Sequence, residues 1–367
     1  MRRVVIKAGS SILSTARGLN RESIRSLAYN LATLHSNGKE VVLVTSGAIA
    51  AGMGRLGIRE QPKTIPQRQA AAAVGQIDLM ALYEECFSAY DKQVAQILLT
   101  HDDLANRRRY LNAKHTMSAL LEARVIPIVN ENDTVAVEEL RFSFGDNDNL
   151  SALVATLVEA DLLVILSDVE GLFTKDPRYY PDAELIPLVS RFDDALFNLA
   201  VPEAGPLGRG GMASKLVAAR KASAFGIPTI IADGRRQEVL PTIFDPQAQT
   251  GTLILPSADR LASRKHWIAF TLKPAGALVV DVGAYEAVSR KGKSLLPSGL
   301  KEVRGVFEGG ECVACLDTGG QEFARGLVNY SSAELERIKG LHTSHIERVL
   351  GYKVSDEIIH RDDLVLL

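Results

Sequence analysis

"GRGGMASK", residues 208–215, sets three glycines and a lysine ahead of an apolar segment, and two familiar nucleotide folds compete for it. A Walker A loop has the form GxxxxGK[ST], but here Lys215 follows Ser214 and precedes Leu216, so the glycine that closes the chain on phosphate is missing. Gly208, Gly210 and Ala213 satisfy GxGxxA, yet a dinucleotide fingerprint must leave a strand, and "AVPEAGPL", residues 200–207, is not strand sequence. Both the P-loop fold and the dinucleotide fold are therefore set aside, and the glycine loop has to be explained by the sheet around it.

That sheet is legible upstream. From residue 3 to about 235, short β-branched runs alternate with helical segments: "RVVIK" (3–7), "EVVLVT" (40–45), "QVAQILLT" (93–100), "VIPIVN" (125–130), "DLLVILSD" (161–168) and "IPTIIADG" (227–234). This alternation predicts a mostly parallel sheet with helices over both faces. Asn20 is the expected N-cap and Gly38 the stop of a helix over 20–38, and a longer helix is expected over 67–90. After about residue 274 the pattern changes to short strands with Gly turns, which predicts a small β-rich domain. The expected division is 1–257, a linker over 258–273, and 274–367.

With 367 residues, 46% hydrophobic and 23% charged, and a formal net charge of -2, the chain has no overall attraction to nucleic acid or anionic membrane. In the opening "MRRVVIKAGSSIL", Lys7 interrupts the apolar run too early for a signal peptide, and no stretch approaches the roughly 20 apolar residues of a membrane span. A cytoplasmic enzyme is the expectation. Three cysteines make no disulfide framework; Cys312 and Cys315 form a CxxC without a second ligand pair, and on a strand they point to opposite faces.

Ligands of open parallel sheets gather at the carboxyl ends of the strands. There the sequence places Lys7 with Gly9, Ser10 and Ser11; Ser46, Gly47 and Ala48; Asn130, Asn132 and Asp133; and Ser167 with Asp168. "FGDNDNLSALVATLVEA", residues 144–160, adds Asp146, Asn147, Asp148 and Asn149 at the opening of a helix, where such side chains also serve as caps. A calcium loop is excluded, because Leu150 stands at the third ligand position.

Taken together, "VVIKAGSS", "VTSGAIAAG", "VIPIVNENDTV", "FGDNDNLSALVA", "LSDVEGLFTKDPR" and "GRGGMASKL" resemble the amino acid kinase family over nearly the whole chain, with a tail resembling a PUA domain. The resemblance implies a three-layer α/β sandwich. "NEND" with "GDNDN" and the tail point to the branch that phosphorylates the γ-carboxylate of L-glutamate with ATP, the first step of proline biosynthesis, with feedback inhibition by proline and a homo-oligomeric enzyme.

The roles implied are consistent with the chemistry. Joining a carboxylate to the γ-phosphate of ATP brings anions together, and two unit charges at 4 Å repel by roughly 4 kcal/mol at an effective dielectric near 20. By resemblance, Lys7 and Lys215 offset this from opposite sides of the phosphoryl group and Asp148 holds both ammoniums, making these three the catalytic residues. Ser46, Gly47, Ala48, Asp133 and Asn147 are the implied glutamate site, with Asp133 facing the ammonium. Lys7, Ser167, Asp168, Arg209, Gly210, Gly211, Met212, Ala213, Ser214 and Lys215 are the implied ATP site. Mg2+ is held by ATP oxygens, with no protein ligand assigned.

Two other readings stand beside this one: a kinase of the same fold acting on another carboxylate or phosphate acceptor, and an RNA-binding protein acting through the tail. From residue 275 onward the tail carries eleven Lys and Arg against fourteen Asp and Glu, which disfavours counterion-release binding. Its basic stretch is confined to Arg290, Lys291, Lys293, Lys301 and Arg304.

Overall fold

The computed structural model describes residues 1–15, 18–136, 147–192, 196, 211–245, 247–256 and 274–367. They form two compact units, Met1–Ala105 with Ala113–Ala258, and Asn106–Asn112 with Asp259–Leu367.

The first unit is built on eight strands: β1 (Arg3–Ala8), β2 (Glu40–Val44), β3 (Val94–Leu99), β4 (Ile126–Glu131), β5 (Leu162–Ser167), β6 (Leu188–Val189), β7 (Thr229–Asp233) and β8 (Thr252–Ile254). Their order is β3-β4-β2-β1-β5-β7-β8-β6, and every neighbouring pair is parallel except β7 with β8. The six expected strands are all present. β6 and β8, two and three residues long, give too short a pattern to be read in sequence.

Burial on both faces explains the unbroken apolar runs, since a parallel sheet covered by helices has no solvent side. Val4 and Ile6, with Val41, Leu43, Leu162 and Val164, pack in one core with Ile24, Leu27 and Leu31 of α1 (Arg21–Ser36) and with Leu79, Leu82 and Phe87 of α3 (Ile65–Ser88). Alternation turns Val5, Val42, Leu163 and Ile165, also fully buried, to the opposite face. α4 (Asn147–Leu157) and α5 (Met212–Ala224) pack together and against the sheet.

Helix ends follow local chemistry. The Asn20 side chain accepts from the Ser23 amide at 3.2 Å, and Gly38, at φ +84°, follows the end of α1. α3 opens on a reciprocal capping box of Thr64 and Gln67, which moves its start upstream of the expected residue 67. Between β2 and α3 lies α2 (Ala48–Leu56), whose N-cap Gly47 takes φ +109°, a left-handed conformation suited to glycine. A Cβ on Gly75 would fall 1.9 Å from the Ala48 carbonyl oxygen, and one on Gly52 would fall 1.8 Å from that of Ala71. Glycines at these two positions let α2 and α3 touch backbone to backbone, which fixes the first turn of α2 beyond the carboxyl end of β2.

Chain order reverses at β1, with β2 on one side and β5 on the other. The carboxyl end of β1 is therefore the topological switch point at which open α/β sheets take ligands.

The second unit holds a five-stranded sheet ordered β10-β9-β11-β12-β13, formed by β9 (Gly276–Val280), β10 (Leu300–Arg304), β11 (Cys312–Leu316), β12 (Glu322–Leu327) and β13 (Leu364–Leu366). Its core gathers Leu278, Val280, Phe307, Tyr330, Leu335 and Ile359. Cys315 lies in that core and Cys312 in a small cluster with Leu327, on the other face as alternation requires. Neither forms a disulfide, and burial pushes Cys315 up to about 12.

Candidate active site

Lys7 is the fifth residue of β1, and Asp148 lies in the first turn of α4. Lys7 Nζ is 2.6 Å from Asp148 Oδ1, and Lys215 Nζ of α5 is 3.2 Å from Asp148 Oδ2. Ser214 donates its hydroxyl to the same Oδ2 at 2.7 Å. All three charged residues are buried, with 7% of Lys7, 7% of Lys215 and 3% of Asp148 exposed, so this is no solvated surface cluster. Burial by itself would raise the Asp148 pKa. The charges of Lys7 and Lys215 and the hydrogen bonds from Lys7 and Ser214 overcome it and hold the carboxyl below its ordinary range. Two cations on one anion leave a net positive charge at the switch point.

Gly9, in the turn after β1, lies against the Lys7 side chain. A Cβ there would sit 2.9 Å from Lys7 Nζ, so the absent side chain makes room for the ammonium itself.

Beside the lysines, the start of α2 brings Ser46, Gly47 and Ala48 to the same end of the sheet. Asn147 Nδ2 contacts the Thr45 carbonyl oxygen at 2.5 Å, Ser46 Oγ at 2.8 Å and Asn130 Oδ1 at 3.1 Å. Tyr83, fully buried on α3, shares a 2.7 Å hydrogen bond with Thr45 Oγ1, and burial raises the pKa of its hydroxyl. Asp133 follows β4. Burial pushes its carboxyl up to about 6, and no ion pair from the described residues offsets that desolvation. A desolvated carboxylate without a protein cation is suited to an ammonium brought by a ligand.

Ser167 is buried at the end of β5 and lies 3.3 Å from Asp168, whose side chain is exposed. Gly211 is the N-cap of α5, and Met212, Ala213, Ser214 and Lys215 form its first turn, where free amides and the helix dipole favour phosphate. Arg209 and Gly210, like Asp146, lie outside the described residues.

Asn130 stands at a strand end in the sequence, but nothing there distinguishes it from an ordinary turn residue; its part in the amide chain comes from its partners. Gln76 gave no signal at all, being one polar residue inside a long helix.

Comparison with known proteins adds a second line. The family model described as "Amino acid kinase family" matches residues 2–233, and that of the PUA domain matches residues 276–350. A glutamate 5-kinase of Geobacter sp. (strain M21) is 52% identical over 368 residues, which cover 100% of this chain and 98% of the relative. Glutamate 5-kinases of Geobacter sulfurreducens and of Caldanaerobacter subterraneus subsp. tengcongensis are each 51% identical, with the same coverage.

Proposed function

The chain belongs to the amino acid kinase family, in its glutamate 5-kinase branch, and from that premise we propose that the Lys7–Asp148–Lys215 cluster carries its chemistry. The reaction is ATP-dependent phosphorylation of L-glutamate on its side-chain carboxylate, giving L-glutamyl 5-phosphate, an intermediate of proline biosynthesis. The observation that carries the site assignment is the pairing of two buried lysines on one carboxylate at the carboxyl end of β1.

The acceptor carboxylate lies against the first turn of α2, where the Gly47 and Ala48 amides and the Ser46 hydroxyl supply donors. Its ammonium pairs with Asp133, which gains in that contact a charge partner that no described residue supplies. ATP phosphates lie at the first turn of α5, and Ser167 and Asp168 contact the nucleotide. Lys7 and Lys215 then flank the γ-phosphoryl and stabilise the charge that shifts onto it as the bond to the carboxylate oxygen forms and the bond to ADP breaks. Asp148 keeps both ammoniums in place before ATP arrives, so little reorganisation remains at the moment of transfer.

Magnesium, when bound, neutralises charge on the β- and γ-phosphate oxygens. Among the described residues no group of three His, Cys, Asp or Glu is placed to hold a metal, and Asp148 has both oxygens engaged. Magnesium is a hard cation that usually keeps water and phosphate oxygens as its ligands, so ATP oxygens would carry most of its coordination.

The same reading extends to inhibition by proline, which shares the α-carboxylate and the amine of glutamate, and to a cytoplasmic homo-oligomer. No described helix is long and apolar enough to cross a membrane. A boundary between residues 257 and 274 and a modulating tail complete the proposal. An RNA role for the tail finds little support: Arg304 pairs with Glu302 at 2.9 Å and Arg290 with Glu286 at 3.9 Å, which depletes the basic stretch.

The test is ATP consumption with L-glutamate, aspartate, acetylglutamate and carbamate as acceptors, with hydroxylamine trapping of the product as the γ-hydroxamate. A higher kcat/KM on any acceptor other than glutamate would overturn the acceptor assignment.

A further inference from the structure

The amide side chains of β4, α3 and α4 form a hydrogen-bonded chain whose direction is fixed at one end. Asn147 must turn Nδ2 toward the Thr45 carbonyl at 2.5 Å, because a carbonyl only accepts. The same nitrogen faces Asn130, which therefore presents Oδ1 to it at 3.1 Å, and Asn130 Nδ2 in turn donates to Gln76 Oε1 at 2.8 Å. Flipping any one amide would set nitrogen against nitrogen or oxygen against oxygen. The terminal atoms are thereby determined: a donor, Gln76 Nε2, and an acceptor, Asn147 Oδ1.

Both terminal atoms are buried and have no hydrogen-bond partner among the described residues. An amide N–H enclosed without an acceptor is unfavourable, and native proteins keep few such groups. Gln76 follows Gly75, whose backbone lies against the Ala48 carbonyl in the first turn of α2. It therefore stands beside the proposed acceptor site, separated from Asn147 by Asn130.

Glutamate brings three charged groups to this site. Its reacting carboxylate faces Lys7 and its ammonium faces Asp133, so only the α-carboxylate still needs a buried donor. We infer that Gln76 Nε2 binds the α-carboxylate of the acceptor amino acid, making Gln76 a substrate-binding residue that selects an α-amino acid over a simple carboxylate. Asn147 Oδ1, the free acceptor at the other end, receives from the ammonium. This inference rests on the acceptor reading given above.

Glutarate and γ-aminobutyrate separate the groups: the first is glutamate without its ammonium, the second is glutamate without its α-carboxylate. Steady-state kinetics of the full chain on L-glutamate would be measured with each analogue as an inhibitor, for the unaltered protein and for Gln76→Met and Gln76→Glu. Loss of one hydrogen bond to a charged group should raise the glutamate KM and the glutarate inhibition constant about tenfold to a hundredfold in Gln76→Met. The KM for ATP and the inhibition constant of γ-aminobutyrate should stay within about twofold. Gln76→Glu, which sets a second anion beside the carboxylate, should weaken glutamate and glutarate further at neutral pH. Equal weakening of both analogues would mean that Gln76 only shapes the site, and an unchanged glutamate KM would mean that it does not touch substrate; either result overturns the inference. Failure of the acceptor reading itself would show earlier, as absence of glutamate turnover by the unaltered protein.

Discussion

Lys7 and Asp148, on β1 and α4, meet at 2.6 Å directly above a residue that has no side chain to spare: the Lys7 ammonium occupies the space that a Cβ of Gly9 would need. The Lys7–Asp148 charge pair and the turn after β1 are thus one packing unit. Gly9 itself has φ -87°, so alanine fits the backbone there, and its effect would act through the lysine alone.

Gly9→Ala is therefore expected to lower kcat by about tenfold to a hundredfold, the scale on which small displacements of a positioned group act. Thermal stability should change little. A variant with unaltered kcat would show that the ammonium does not need its observed position, and steady-state kinetics beside a melting curve settles the matter.

Lys7→Ala and Lys215→Ala should each reduce kcat by roughly a hundredfold or more, as removal of one electrostatic stabiliser does. The KM for glutamate should move much less, because in the proposed site both lysines face the phosphoryl group. Near-normal turnover in Lys215→Ala would remove α5 from the mechanism.

Asp148→Asn leaves two buried ammoniums facing each other without an anion. A loss of about 3 kcal/mol in unfolding free energy is expected, alongside loss of activity, since an uncompensated buried charge is costly. The Asp148 pKa is depressed, so its contribution to stability is fully present above the ordinary carboxylate range and disappears as the pH falls through the lowered value. Denaturant titrations across acid pH should show this dependence in the parent and not in the variant.

Asp133 behaves in the opposite sense. Its carboxyl, raised by burial from 3.8 to about 6, must ionise to receive an ammonium. Glutamate kcat/KM should therefore increase with pH and level off above about 6, and Asp133→Asn should raise the glutamate KM and abolish that inflection. In the free protein the raised value favours the protonated folded form, so stability contributed by this group falls as the pH climbs from 3.8 to about 6. A pH profile unchanged in Asp133→Asn would sever Asp133 from the substrate ammonium.

Much of this was legible in sequence because the signals are local. Fully buried parallel strands need uninterrupted apolar runs, and Lys7, Ser46 and Ser167 end or directly follow such runs, with Asp133 two residues past the end of β4. The cap at Asn20 and the turn at Gly38 are set by neighbours a few residues away.

Sequence by itself determined a mostly parallel sheet, a β-rich tail, and the inventory of lysines, carboxylates and amides at the strand ends, since alternation and end chemistry are written over a few consecutive residues. Tertiary structure decided what those residues do to one another. Only folding brings Asp148 between Lys7 and Lys215, assigns the space over Gly9 to an ammonium, turns Ser214 to the Asp148 carboxylate, and joins Gln76, Asn130 and Asn147 from three separate elements. The physical reason is that a hydrogen bond or an ion pair depends on distances of about 3 Å between atoms, whereas chain position constrains only neighbours along the backbone.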